Sequence, residues 1–494
     1  MRLVTEADAA RVGDPAWRGY LARFAGVSAD LLATMEGFGV PVESEDEARA
    51  RRGRLAALRD GLVARGARAR NDGKSLAWGA ISPACARCRT GVRSVSTFLS
   101  LACDRSCWFC FNPNQHDYDR FRDAPKDWRA ELEEFHRRLG GLDCVALTGG
   151  EPLLFPEEAV AFVRAARALA PNAHLRLYTS GARADAALMG RLAEAGLDEV
   201  RFSVKLDEDA ARQRAVLDLM GAAAAVIPAV MVEMPVVPGT GPAMERLLVD
   251  LDVRGVRDVN LLELCFPLHN AAAFRERGLK LVREPYLVPY SYGYAGALPV
   301  AGSEELALEL MAGAIDRGTG LGLHWCSLEN KNTAQIYGQN DGGALDIPPY
   351  RFSPRNFFYE VVRAFGDDAA YCLARLEGSD VAREADEAGG AVAFDPRGLS
   401  LFAPDDAAGH RLWLASAVIE DGAEGRRFRE VGVGLVEPED LAAGRLTAQP
   451  APDPEDPGEG GGADGAAGGA RTAAGTAAGG DEGDAVAASP EAAR

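Results

Sequence analysis

Positive charge is in deficit in this chain of 494 residues: 54 Lys and Arg stand against 73 Asp and Glu, a formal charge of −19 at pH 7. That balance lacks the broad basic field that neutralises phosphate backbones, so nucleic acid is not an expected partner. An unbroken apolar run is missing too. The longest stretch, Gly221 to Gly239, is interrupted by Glu233, Pro228, Pro235 and Pro238, and no membrane association is expected. The opening Met1-Arg2-Leu3-Val4-Thr5-Glu6-Ala7-Asp8 has no apolar segment behind a basic start, so no secretory signal is expected there. Cysteine is sparse and odd in number, nine in all, and five of the nine lie between residues 85 and 110. That clustering argues against a disulfide framework and for metal ligation in a reducing cytoplasm.

What is present is enough apolar residue, 47%, to build a sizeable core. Residues 1–80 read as a helical, charged segment, with Ser44-Glu45-Asp46-Glu47 as a helix start. From about residue 95, β-rich runs alternate with helical ones. The runs are Ser96–Leu101, Cys144–Thr148, Leu175–Thr179, Glu199–Val204, Val226–Met234 and Val256–Leu261, with a later one at Leu321–Trp325. Such alternation predicts βα units around a parallel sheet over residues 81–330, an α/β fold. A long excursion at 266–302 carries Tyr286, Tyr290, Tyr292 and Tyr294 and reads as a lid or substrate-contacting segment. Residues 331–446 read as a smaller α+β unit, with a helix expected over Arg355–Phe365 and a strand over Leu399–Phe402. Residues 447–494 are dominated by Ala, Gly, Pro and acidic side chains and are expected to form a disordered tail.

Two motifs carry the chemistry. The first is Cys103-Asp104-Arg105-Ser106-Cys107-Trp108-Phe109-Cys110, a C-x3-C-x2-C loop. A [4Fe-4S] cube ordinarily takes four cysteines, so three leave one iron open, the condition that separates a catalytic metal centre from a closed one. Alone, the loop suits zinc as well. The second motif is Gly149-Gly150-Glu151-Pro152, directly after the apolar run Cys144–Thr148. Glycines at a strand end let backbone approach closely for lack of a Cβ. Together the two motifs resemble the radical SAM superfamily.

That resemblance implies an open, partial (β/α)6 TIM-like barrel with active groups at the strand C-termini. It implies a [4Fe-4S] cluster held by Cys103, Cys107 and Cys110, with S-adenosylmethionine chelated on the open iron. The aromatic residue before the third cysteine, Phe109, would lie over the adenine, and Gly149 and Gly150 would receive the methionine amino group, with Glu151 shaping the turn. Polar residues at later strand ends, Thr179, Ser180, Ser203 and Lys205, match positions that contact the methionine carboxylate and the ribose. Ser203 and Lys205 share one face by strand parity. Glu233, in an apolar run that would pass the adenosine, is expected to be hydrogen-bonded at the site. A low-potential electron donor of the flavodoxin or ferredoxin type is implied as a partner, together with a small-molecule, peptide or protein substrate.

Cys85-Ala86-Arg87-Cys88 adds a second metal-like pair, compatible with zinc, redox chemistry or an auxiliary iron–sulfur cluster. Cys326 is its expected partner, with Cys265 or His324 as a further ligand. Cys265, after the sixth strand, is also read as a hydrogen donor that quenches a substrate radical, the one catalytic side chain named. His116, Asp117 and Tyr118 are candidates to line the pocket, His136 and His174 read as structural, and Cys144 and Cys372 as small core residues. Further runs, Met234-Pro235-Val236-Val237-Pro238-Gly239 and Cys326-Ser327-Leu328-Glu329-Asn330-Lys331, look like a branch related to pyruvate formate-lyase activating enzymes. The expected activity is reductive cleavage of S-adenosylmethionine to a 5′-deoxyadenosyl radical that abstracts hydrogen from a substrate. Two other readings stand beside it: an activator of a glycyl-radical protein or peptide-modifying enzyme, and a non-catalytic zinc-binding interaction module.

The tail's composition buries too little apolar area to offset the entropy of ordering it. Truncation after residue 446 is expected to leave the melting temperature unchanged by circular dichroism. A lowered melting temperature would show that the acidic segment packs on the folded body.

Overall fold

The computed structural model of the chain describes residues 2–285, 297–422, 425–442, 444 and 446. These divide into two compact units, one comprising Glu36–Gln335, the other the stretch up to Met35 together with Ile336 onward. The proposed tail and Tyr286, Tyr290, Tyr292 and Tyr294 lie outside the described residues.

Nine described strands form one sheet in the first unit. In chain order they are β1 (Arg68–Arg70), β2 (Ser75–Trp78), β3 (Ser94–Phe98), β4 (Cys144–Thr148), β5 (His174–Thr179), β6 (Glu199–Phe202), β7 (Ala229–Val236), β8 (Asp258–Glu263) and β9 (Gly322–Cys326). Across the sheet the order is β1-β2-β9-β8-β7-β6-β5-β4-β3. From β3 to β9 all neighbours are parallel, while β1 and β2 form an antiparallel pair on the β9 edge. Parallel neighbours require crossovers. Helices at Trp128–Leu139, Pro156–Leu169, Ala186–Glu194, Ala210–Ala224, Gly241–Val253 and Ser303–Asp316 lie on these connections. Their starts are written locally: Asp127, Asp185 and Asp209 each accept a backbone N–H of the first turn.

The sheet is two-faced. Val95, Val145, Leu147, Leu175, Leu177, Val200, Phe202, Val232, Val259, Leu261 and Leu323 all belong to one buried apolar cluster shared with the crossover helices. On the alternate positions stand Ser96, Thr148, Arg176, Tyr178, Arg201, Glu233, Asn260, His324 and Cys326, and these line a cavity. A side-chain period of two converts that alternation into one apolar face and one polar face.

Seven parallel strands are found where six βα repeats and a later run were expected, the seventh being β9. The 1–80 segment also differs from its helical reading. Ser44 does cap the helix Glu45–Ala64, in a capping box with Glu47, but residues 68–78 form β1 and β2 because Leu76 and Ala77 are buried and β2 pairs with β9. Residues up to 35 belong with the C-terminal unit: Leu21, Phe24 and Ala25 of the helix Pro15–Gly37 pack with Val361, Phe365 and Trp413, and the Tyr20 hydroxyl donates to Glu430 at 2.6 Å.

That second unit is built on an antiparallel sheet in the order Arg2–Leu3, Gly425–Leu435, Trp413–Gly422, Tyr359–Phe365, Ala391–Phe394, Arg383–Asp386. Two local expectations are overturned here. Residues 359–365 form a strand rather than part of a helix, since Val361 and Phe365 meet one apolar cluster while Val362 and Ala364 meet another, an alternation only a strand provides. Residues Pro396–Leu401 form a 3₁₀ turn capped by Asp395 rather than a strand. Among the described residues no helix is long and apolar enough to cross a membrane.

Leu147 sits wholly buried near the end of β4, two residues before Gly149. Leu147→Ala is expected to cost about 2–5 kcal/mol, measured by urea denaturation, as a cavity left in a close-packed core.

Candidate active site

A cavity of about 870 Å³ lies on the polar face of the nine-stranded sheet. Every candidate ligand named from the sequence lines it: Cys103, Cys107, Cys110 and Phe109; Gly149, Gly150 and Glu151; Thr179, Ser180, Ser203, Lys205 and Glu233; Cys265; and Cys85, Cys88 and Cys326. Tyr118 joins them, whereas His116 and Asp117 do not.

The cysteine loop is pinned at both ends by the glycine motif. Upstream, Gly150 N–H donates to Ser100 O at 3.1 Å and Glu151 N–H to Ala102 O at 2.8 Å. Downstream, Asn112 Nδ2 donates to Gly149 O at 2.7 Å. Gly149 adopts φ +110°, and a Cβ on Gly150 would come within 1.9 Å of Ala102 O. The close approach these glycines permit is therefore an approach to the chain itself, at the residues that lead into Cys103. Two residues outside the motifs hold the loop's far side: Asn270 Nδ2 donates to Trp108 O, and His269 Nε2 lies 3.0 Å from Cys110 O. No sequence signal singled these out, since their spacing to the cysteines exists only in the fold.

Glu151 is 2% exposed, yet its carboxylate is fully engaged. It accepts from Leu153 N–H and Thr179 Oγ1 on one oxygen and from the Ser180 N–H and hydroxyl on the other, three of the four at 2.7 Å. It thus locks the end of β4 to the end of β5. Lys205 Nζ reaches Ser203 Oγ at 3.0 Å and lies 5.5 Å from the centre of the Phe109 ring. Arg105, within the loop, pairs with Glu208. Loop, glycine motif and the ends of β5 and β6 form one bonded assembly.

Deeper on the sheet lies a buried polar relay that the sequence reading did not identify as such. Arg201, 3% exposed, bonds Glu199, Glu233 and Ser82. Glu233 also accepts from Asn260 Nδ2 at 2.7 Å, and Asn260 Oδ1 lies 2.6 Å from His324 Nδ1. A carboxylate only accepts, so the Asn260 nitrogen faces Glu233 and its oxygen faces His324, which places the imidazole proton on Nδ1. Burial, with Arg70 and Arg201 nearby, pushes His324 down to about 3 and keeps it neutral, and its Nε2 is buried without a partner among the described residues. Burial opposes the charge on Glu199, but Arg201 and His174 outweigh it and hold that carboxyl well below the usual range. His174 is thus a structural partner. The signal available in the sequence was parity: a charged residue inside each of two apolar strands, on the same face as Ser203 and Lys205.

All nine cysteines are free thiols, with Cys144 and Cys372 buried in the core. Burial raises Cys103 and Cys110, opposed in each by a backbone N–H, from Arg105 and Asn112 respectively. Burial pushes Cys85 up to about 11, Cys265 up to about 12, and Cys326 upward as well. Cys85 Sγ lies 3.5 Å from Arg201 Nη2, and Asn330 Nδ2 donates to Cys326 at 3.2 Å. Among the described residues no three His, Cys, Asp or Glu side chains converge closely enough to hold a single ion. A cubane asks for something else, one thiolate on each of separate irons, and the donors of the 103–110 loop suit it: three soft sulfur ligands on one cavity, two of them already receiving backbone N–H bonds of the kind that tune cluster sulfurs.

Comparison with known proteins places a family match on this region: residues 98–250 match the Radical SAM superfamily. Among solved structures, Streptococcus suis SuiB bound to precursor peptide SuiA is similar at 15% identity, over 51% of this chain and 52% of that one, with a TM-score of 0.35. SuiB alone gives 14% identity over 51% and 53%, with a TM-score of 0.34. Coproporphyrinogen III oxidase (HemN) from Escherichia coli, described as a radical SAM enzyme, gives 15% identity over 49% and 57%, with a TM-score of 0.32. The chain spans about half the length of the solved structures it matches.

Gly150→Ala is expected to lower stability by about 1–3 kcal/mol through overpacking against Ala102, read as a shift of the denaturation midpoint. The 103–110 loop should also be cut faster by a limiting protease. An unchanged midpoint with an unchanged cleavage rate would show that the loop does not depend on this contact.

Proposed function

We propose that the radical SAM domain formed by residues 98–250 makes this chain an oxygen-sensitive enzyme that cleaves S-adenosylmethionine reductively and uses the resulting radical to abstract hydrogen from a substrate. The observation that carries this reading is the backbone lock between Gly149-Gly150-Glu151 and both ends of the three-cysteine loop, on a cavity shared with Phe109, Ser203 and Lys205. Cys103, Cys107 and Cys110 would hold the [4Fe-4S] cluster. When bound, that cluster supplies an electron to the sulfonium of S-adenosylmethionine, which yields methionine and a 5′-deoxyadenosyl radical.

The chain's own residues bind and orient. Lys205 and Ser203, already bonded to each other at the end of β6, offer a cation and a hydroxyl to a carboxylate. Phe109 presents a ring for a base to pack on. Glu151 does not reach for a ligand: with its oxygens satisfied, it fixes Thr179 and Ser180 in place. Cys265, driven toward the neutral thiol by burial, is a hydrogen donor in that form. Seven consecutive parallel strands with helical crossovers support a partial TIM-like barrel whose active end is at the strand C-termini. Nine free thiols support a reducing, cytoplasmic setting, and reduction of the cluster would call for a low-potential electron donor as partner. The narrower likeness to pyruvate formate-lyase activating enzymes rests on motifs alone and names no substrate.

Cys107→Ala, purified without oxygen, is expected to lack the reducible cubane absorption and to form no 5′-deoxyadenosine by chromatography. Cleavage at the wild-type rate would overturn the ligand assignment. The same preparations assign Cys85, Cys88 and Cys326: in Cys85→Ala/Cys88→Ala, iron falling by about half marks a second cluster and loss of zinc marks a zinc site. Unchanged metals mark thiols that only pack.

A further inference from the structure

We propose that the cavity binds an oxyanion of the substrate, a carboxylate or a phosphate, through Arg176 and Lys331, an inference that rests on the radical SAM reading and adds a substrate class to it. It comes from accounting for the charges that face the cavity. Glu151 is satisfied by Leu153, Thr179 and Ser180, Glu233 by Arg201 and Asn260, and Glu263 accepts from Leu328 N–H at 2.7 Å. Among the cations, Arg201 is matched by Glu199 and Glu233, Arg105 by Glu208, and Lys205 rests on Ser203 and the Phe109 ring.

Arg176 and Lys331 remain. Both line the cavity. Among the described residues neither side chain makes a hydrogen bond or has a carboxylate within ion-pair distance. Arg176 has the Tyr178 ring 5.8 Å away and Glu199 beside it on the next strand, acting only through space, and its Nε is buried with no acceptor. Glu233 and Glu263 act on Lys331 only through space. The two cations face one cavity, whose lining also includes Cys88 and Tyr178. Arg176 also feels the like charge of Arg201. In a chain of charge −19, with carboxylates in surplus, two half-buried cations without a carboxylate mark a place where the anion comes from outside.

The location separates this subsite from the end of β6. Arg176 stands mid-strand, in register with Ala146 and Glu199, whereas Ser203 and Lys205 follow the end of the next strand. A guanidinium offers a planar fork and Lys331 a point charge, a pair suited to an oxyanion with two or more oxygens. A substrate held there by its charged end would present its other end toward Phe109 and the cysteine loop, on the same cavity.

The test uses the full chain, with inorganic phosphate and acetate as probes at constant ionic strength, followed by calorimetry. Wild type should bind at least one of them saturably, and whichever binds identifies the headgroup as phosphate or carboxylate. Arg176→Gln and Lys331→Gln should each weaken that binding by about tenfold or more, as expected for loss of a charge-assisted hydrogen bond. Arg176→Lys, which keeps the charge and loses the fork, should also weaken it, and it decides the matter if a Gln variant fails to fold. Saturable binding by neither probe, equal affinity in the folded variants, or a loss confined to Lys205→Met would overturn the proposal. Wild-type affinity for S-adenosylmethionine is measured alongside. If that cofactor binds and the anions do not, only the subsite fails; if it does not bind, the radical SAM reading itself fails.

Discussion

The site depends on a strand end and a loop meeting at backbone distance. Two N–H bonds from Gly150 and Glu151 to Ser100 and Ala102, closed by Asn112 on Gly149 O, leave no room for a side chain. The loop's ends are therefore set by the sheet itself, because β3 and β4 are parallel neighbours and both segments leave at the same edge. Rigid strands position the anchors while the loop carries the donors, the division of labour expected of a functional loop on a scaffold.

Behind this lies an uncommon use of a parallel sheet. Parallel sheets are ordinarily buried under apolar side chains on both faces. Here one face carries Arg176, Arg201, Glu233, Asn260 and His324. Burying such groups is costly unless each is paired, and a chain of four residues, Arg201 to Glu233 to Asn260 to His324, meets the condition for all but one imidazole nitrogen. Removing one member would strand the next. The relay and the cysteine loop line one cavity.

Much of this was legible in the sequence, for identifiable reasons. The β-rich runs, the cysteine spacing and the glycine motif are local patterns, and they placed β4 at Cys144–Thr148 and the strand-end residues Ser203 and Lys205 on the cavity. What escaped was non-local. Leu76 and Ala77 became a strand through pairing with residues some 250 positions later, and the helix Pro15–Gly37 lies with the C-terminal sheet through Tyr20 and Glu430. The segment at 359–365 reads as helix by composition but is claimed by apolar clusters on both of its faces. Arg176 and Lys331 became notable only when every other charge on the cavity had been assigned a partner.

The order of strands along the chain has a bearing on assembly. From β3 through β6 each strand pairs with the next one made, so the three-cysteine loop, the glycines that pin it, and Lys205 all lie within residues 94–208. Chains fold from the N-terminus as they leave the ribosome. The thiols of Cys103, Cys107 and Cys110 can thus be gathered in a nascent chain that has not yet produced Cys326 or Lys331, which arrive with β9 and the helix after it. The strands and glycines that pin the front of the loop are thus made first, and His269 and Asn270, which hold its far side, follow only after β8.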